Sequence, residues 1–147
     1  MNLVLLSENV CIWDKSVSKS FALGTLFETL AERSIPFDRM NAWKEILKRE
    51  ALANSYMGDE FVLSHAHISD IDAPLIALGI CPQGITGVSV PVGESVRIFG
   101  VLLSPTVNPN IHLEAIRELS RRVLNSKWKS DLLAAKTPQE LVQIFTT

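Results

Sequence analysis

The run Leu75–Cys81 is apolar without interruption, and Val96–Leu103 is a second strongly apolar stretch. Segments of this length with no wet face have the pattern of β-strands buried on both sides. Turn residues punctuate both of them. Pro74 precedes the first, Pro82-Gln83-Gly84 turns the chain after it, Gly93-Glu94 precedes the second, and Ser104-Pro105 ends it. A sheet built on such strands must be covered on both faces, and the remaining sequence supplies helices to do so. The fold class this predicts is α/β: a small mixed β-sheet flanked by helices.

Leu23, Leu26, Phe27 and Leu30 recur at helical spacing, which predicts a helix from a cap at Ser16 or Ser18 to about Arg33. Ser34-Ile35-Pro36-Phe37 breaks it. Asp38 can cap a second helix with Met40, Trp43, Ile46 and Leu47 inward, ending near Ala53. Asn108-Pro109 places a capping side chain before a proline suited to the first helical position. The helix it opens would carry Leu113, Ile116, Leu119 and Val123 on its apolar face and His112 in its first turn. Ser126–Ala135 reads as a short helix, and Thr137-Pro138-Gln139-Glu140 as a capping box opening a last one through Phe145. Near the start, Val10–Trp13 reads as a strand, Leu3–Leu6 as a helical turn or a strand, and Ile85–Val92 as irregular.

At 147 residues, with 47% hydrophobic and 20% charged content, the chain is expected to form one domain over positions 1–147. A net charge of −2 gives no overall attraction to nucleic acid or anionic lipid. Arg117, Arg121, Arg122, Lys127 and Lys129 accordingly read as the wet side of amphipathic helices. No run approaches the ~20 apolar residues of a membrane span. The opening residues lack a secretion signal's basic start, so the expectation is a cytoplasmic chain without membrane insertion. Cys11 and Cys81 each lie in an apolar run and form no CxxC pair, which predicts free, buried thiols.

The chemistry concentrates between Arg49 and His67, which read REALANSYMGDEFVLSHAH. A helix end leads through the turn-like Tyr56-Met57-Gly58-Asp59 into an apolar strand, Phe61-Val62-Leu63, with His65 and His67 placed where that strand is expected to end. Imidazole exchanges protons near neutral pH, and a strand end aims a side chain while leaving it accessible. The third histidine, His112, opens a helix, where unpaired N–H groups and partial positive charge favour phosphate. With the guanidinium of Arg49, which can fork onto phosphate oxygens, these groups would make a phosphoryl site.

This stretch resembles the IIA components of the bacterial sugar phosphotransferase system, in the fructose/mannitol and nitrogen-regulatory class. Their pattern, R-E-x-L-x-S-T-G-I-G-x-G-I-A-I-P-H, ends on the histidine that carries the phosphoryl group. Without a gap, this chain reads R-E-A-L-A-N-S-Y-M-G-D-E-F-V-L-S-H, ending at His65. A histidine-leucine pair opening a helix after a strand ending in proline is matched by Leu102-Leu103-Ser104-Pro105 and His112-Leu113. The resemblance implies that His65 accepts a phosphoryl group from an HPr-type phosphocarrier protein. It implies that His112 hydrogen-bonds that group and Arg49 sets the charge around it, with Ser55 and Ser64 in support. A sugar permease IIB component or a regulatory target would be the onward partner. Neither cofactor nor metal is called for, because phosphoryl transfer needs mainly alignment and charge stabilisation.

Four of the departures from the pattern bear on the chemistry. Ser64 replaces its proline, Tyr56 and Glu60 two of its glycines, and Val62 its alanine. Losing proline frees the backbone where the histidine is aimed, losing glycine matters wherever φ is positive, and Glu60 brings negative charge toward a phosphate site. These changes leave open an alternative, a phosphotransfer-silent IIA-like regulatory module that acts by protein–protein binding. Arg49 can also be read as pairing with Glu45 or Glu50, and His112 alone as a surface residue. His65-x-His67 with His112 or Asp70 would allow a metal reading, while His67 otherwise has no role and is expected to be exposed.

Overall fold

The computed structural model describes residues 3–147. A 3₁₀ turn at Ser7–Asn9 leads into β1 (Val10–Ile12), β2 (Val17–Ser18), α1 (Lys19–Arg33), α2 (Arg39–Leu52) and β3 (Phe61–Ile68). There follow β4 (Leu75–Ile80), β5 (Ile85–Thr86), β6 (Ile98–Pro105), α3 (Pro109–Val123), α4 (Ser126–Leu133) and α5 (Pro138–Thr146). The main sheet has the order β1-β4-β6-β3, and β2 and β5 form a separate two-stranded pair. β1 is parallel to β4, β4 antiparallel to β6, and β3 parallel to β6, so the sheet is mixed as predicted. The apolar runs are β4 and β6, the two central strands, and every residue of β6 is buried.

Alternation along the strands divides the interior in two. Phe61, Leu63, Leu78, Ile98 and Leu102 pack with residues of α3, α4 and α5 on one face. Val62, Ala66, Ala77, Val101 and Leu103 pack with α1 and α2 on the other. His65 and His67 continue the series of Phe61 and Leu63, so their side chains leave β3 on the α3 face. Ser64 leaves it on the α2 face.

The helix ends follow ordinary capping chemistry at most positions. Ser18 accepts from Phe21 N–H, Asp38 from Asn41 N–H, Asn125 from Trp128 N–H and Thr137 from Glu140 N–H. Asn108 is the exception. Proline occupies the first turn as predicted, but Asn108, at φ −140° and ψ 84°, makes no side-chain capping bond.

Two helix faces are rotated from the sequence reading. In α2, Ala42 and Ile46 are buried, whereas Met40 and Leu47 are exposed. Trp43 is half-buried against Phe27, at 4.9 Å between ring centroids. In α3 the inward stripe is His112, Ala115, Leu119 and Val123, and Leu113 points out. Spacing alone does not distinguish these registers, because His112 and Leu113 are adjacent and only the packing of α3 on β6 selects the histidine. Leu3–Leu6 forms no regular element, although Leu3 and Leu5 are buried. Both thiols are free, Cys81 buried and Cys11 only partly so. The basic residues of α3 and α4 are largely neutralised: Glu118 pairs with Arg121 and Arg122, Lys127 with Asp131, and Lys129 with Glu60.

Candidate functional site

β3 does not end at its histidines. Pairing with β6 runs in register from Phe61↔Ile98 to Ile68↔Pro105, which carries the strand through His65 and His67. Because β3 is the edge strand, its side chains still reach solvent around its open side. His65 is half-buried, and His67 is exposed as expected.

From the opposite layer α3 delivers His112, only 4% exposed rather than lying on the surface. Its Nε2 stands 3.0 Å from Nδ1 of His65, and its Nδ1 stands 2.7 Å from Oγ of Ser104 in β6. The distant sequence positions 65 and 112 are therefore joined by one hydrogen bond. The ring of His67 also lies against His112, at 4.0 Å between centroids. All three histidines thus form one cluster, although the sequence reading had set His67 aside.

The order Ser104–His112–His65 constrains the tautomers. If Nδ1 of His65 carries the proton and donates to Nε2 of His112, then His112 carries its own proton on Nδ1 and donates to Ser104. That arrangement leaves Nε2 of His65 with an unshared electron pair. Burial, reinforced by the neighbouring Arg49 and His67 and opposed by Glu50, pushes the His65 imidazole down to about 4. Burial, with His67, His65 and Arg49 adding to it, pushes His112 down to about 4 as well. Both rings are accordingly neutral at physiological pH, the state in which imidazole nitrogen is a nucleophile.

α2 forms the other wall. Glu45, Lys48, Arg49 and Leu52 face His65, Ala66 and His67 across an open cleft of about 190 Å³. Arg49 is exposed, and among the described residues it makes no ion pair with Glu45 or Glu50, contrary to the simplest sequence reading. Glu50 instead turns under β3. Its Oε1 accepts from Oγ of Ser64 at 3.0 Å, its Oε2 accepts from Oγ of Ser55, and Lys19 Nζ approaches to 3.6 Å. Ser55 and Ser64 are thus brought together on Glu50, a carboxylate that the sequence reading considered only as a partner of Arg49.

The departures from the family pattern also acquire locations. Ser64 is 1% exposed and fastened from below by Glu50. Tyr56 keeps a negative φ, so the missing glycine there adds no backbone strain, and its hydroxyl donates to Glu94 at 2.6 Å. Glu60 does occupy a left-handed conformation, with φ 69°, next to Asp59 at φ 53° and Gly58 at φ 84°. Its carboxylate is forked by Arg97 and approached by Lys129 at 3.5 Å. These contacts hold the Glu60 carboxyl below its usual range, Arg97 being the larger cause. Glu60 lies five positions before His65 along β3, about 16 Å away at strand rise. The negative charge anticipated near the phosphate position is therefore at the other end of the strand and is compensated there. Among the described residues no group of three or more His, Cys, Asp or Glu is placed to hold a metal ion.

Comparison with known proteins agrees with this geometry. Residues 4–147 match the family model described as "Phosphoenolpyruvate-dependent sugar phosphotransferase system, EIIA 2". The chain is 26% identical over 118 residues to the PTS system fructose-specific EIIABC component of Bacillus subtilis, a match covering 80% of this chain and 18% of that protein. It is 25% identical over 122 residues to the nitrogen regulatory protein of Pseudomonas aeruginosa, covering 78% of this chain and 75% of that protein. Among solved structures, nitrogen regulatory protein IIA-Ntr from Neisseria meningitidis superimposes with a TM-score of 0.78 at 20% identity, covering 97% of this chain and 95% of the other. IIA mannitol from Escherichia coli does so with a TM-score of 0.77 at 17% identity, covering 95% and 97%. The same IIA enzyme has been solved in complex with phosphorylated enzyme IIB mannitol, and that structure also matches with a TM-score of 0.77 at 17% identity, covering 98% of each chain. With its α/β layers, its paired imidazoles and a match from residue 4 to its last residue, the chain belongs to the EIIA type 2 family of the phosphoenolpyruvate-dependent sugar phosphotransferase system.

Proposed function

We propose that the chain is a phosphoryl carrier of this system, with Nε2 of His65 as the acceptor atom. The observation that carries the reading is the 3.0 Å contact between His112 Nε2 and His65 Nδ1, which commits one ring nitrogen of His65 and leaves the other for phosphorus. In the transfer, the Nε2 electron pair forms the new N–P bond. The donor's N–P bond breaks, and its electron pair returns to the donor ring. The phosphorylated ring becomes cationic, and its Nδ1–H shares that charge with His112, which Ser104 holds in the accepting tautomer. Lys48 and Arg49 line the cleft in front of His65 and supply positive charge for the phosphoryl oxygens. The donor is an HPr-type phosphocarrier protein in the cytoplasm. The onward partner is a IIB component of a sugar permease, or a target protein that reads the phosphorylated state as a signal.

Most of the features that favoured a phosphotransfer-silent module carry less weight beside this geometry, and the left-handed backbone of Glu60 stands at the far end of β3 from His65. Ser64 is fastened to Glu50, Tyr56 needs no positive φ, and the charge of Glu60 is compensated away from the site. Incubation with phosphoenolpyruvate, enzyme I and HPr, followed by intact mass and acid-lability measurements, tests the carrier reading. An acid-labile adduct that disappears in His65→Ala supports it; no adduct, or an adduct that persists in that variant, overturns it.

A further inference from the structure

His67 is the histidine for which the carrier mechanism has no use, yet it occupies the same cleft. It leaves β3 on the same face as His65, two residues further on. Its ring lies against the buried His112 ring, at 4.0 Å between centroids, and it lines the cleft of about 190 Å³ with Lys48 and Arg49. Its Cα partner across the sheet is Ser104, the residue that orients His112. The charged and titratable groups around it are His65 on its own strand, His112 on α3, and Glu45, Lys48 and Arg49 on α2. Asp70 follows in the next loop, where its Oδ2 accepts from Asp38 N–H at 2.5 Å. The exposed imidazole can exchange protons with solvent directly, whereas His112 is buried.

We propose that His67 is a further phosphoryl-site residue, a conditional cation that takes up a proton from solvent when His65 is phosphorylated and so couples the loading of the carrier to pH. The inference rests on the carrier reading. Phosphorylation puts a dianionic group on a ring that becomes cationic, a net negative charge in the cleft shared with His67, and negative charge favours the imidazolium form. By linkage, whatever factor the phosphoryl group adds to the proton affinity of His67 must appear in the transfer equilibrium. A tenfold gain in that affinity makes loading about tenfold more favourable on the acid side of the titration than on the alkaline side. Lys48 and Arg49 give the cleft its standing positive charge, and His67 the part that varies.

The test is the phosphoryl-transfer equilibrium with HPr charged by phosphoenolpyruvate and enzyme I, measured from about pH 6 to about pH 8.5 for the wild type, His67→Gln and His67→Lys. Taking the ratio of each variant to wild type at each pH removes the titration of the donor itself. The expected result is that His67→Gln matches wild type at the alkaline end and falls about tenfold behind it at the acid end. His67→Lys, with a fixed charge, should exceed wild type about tenfold at the alkaline end and match it at the acid end. Parallel pH profiles for wild type and His67→Gln, with both proteins phosphorylated, overturn the role of His67 alone. Failure of the wild type to accept phosphoryl at any pH overturns this role together with the carrier reading beneath it.

Discussion

Replacing Ser64 probes how this chain aims its central histidine without the proline of the family pattern. Ser64 is 1% exposed and donates to Oε1 of Glu50 at 3.0 Å. Ser64→Ala removes a buried, charge-assisted hydrogen bond of the kind that contributes about 1.5–3 kcal/mol. Glu50 keeps Ser55 and Lys19, so a cost of about 2 kcal/mol is expected, near the lower part of that range. Ser64→Pro goes further. Leu63 N–H bonds outward to Ser55 O, while Glu60 O and Ile68 O bond to the β6 side, so alternation directs the Ser64 N–H toward β6. Proline deletes that donor where it faces a neighbouring strand, adding about 1–3 kcal/mol for a sheet carbonyl left unpaired. Urea unfolding at neutral pH is the assay. With a slope of about 2 kcal/mol per molar, Ser64→Ala should lower the midpoint by about 1 M and Ser64→Pro by about 2 M. A Ser64→Ala variant within about 0.5 kcal/mol of wild type, or a Ser64→Pro variant as stable as Ser64→Ala, refutes the reasoning. A double-mutant cycle with Glu50→Gln should return a coupling of about 1 kcal/mol, since the two residues are in contact.

Three further outcomes are expected. His112→Ala leaves Nδ1 of His65 without its partner, and phosphoryl acceptance in rapid-quench experiments should slow about 10²-fold through lost alignment; an unchanged rate contradicts the role given to His112. The unfolded chain takes up protons on these imidazoles near the ordinary ~6.5, whereas the folded values lie at about 4. Stability should therefore fall as pH drops from about 6.5 to about 4, with no further contribution from these groups below, and His112→Gln should flatten that slope in urea titrations. Glu60→Ala keeps the left-handed backbone and loses the Arg97 fork, whereas Glu60→Gly loses the fork but relieves a conformational cost of about 1 kcal/mol. The alanine variant should accordingly be the less stable by about that amount, and the reverse order would show that the positive φ carries no strain.

The layers of the fold were legible because their signals are local. Apolar runs without a wet face mark β4 and β6, and Ser18, Asp38 and Thr137 announce the helices they cap. The joining of His65 to His112 was legible only through resemblance, since a contact across 47 positions leaves no trace in periodicity. What stayed hidden depended on rotation and register. Glu50 and Arg49 are neighbours on α2, yet one turns beneath β3 to the serines and the other faces the cleft, a difference of one helical step. Met40, Leu47 and Leu113 fit an apolar stripe on paper but lie just outside the buried arc. The two-residue strands β2 and β5 are too short to produce a period.

The edge position of β3 also bears on how the protein reaches its native state. β3 pairs with β6 in the main sheet, and β6 arrives only after β4 and β5 have been made. Contacts of such sequence separation are slow to form, because loop closure must be met before pairing rewards it. The bond between His65 and His112 requires β3, β6 and α3 to be docked together, so it cannot precede that docking. A collapsed intermediate holding helices and the antiparallel β4–β6 pair would still lack the site. Phosphoryl acceptance during refolding would then lag behind the recovery of helical signal, making the histidine pair a chemical clock for the final docking of the edge strand.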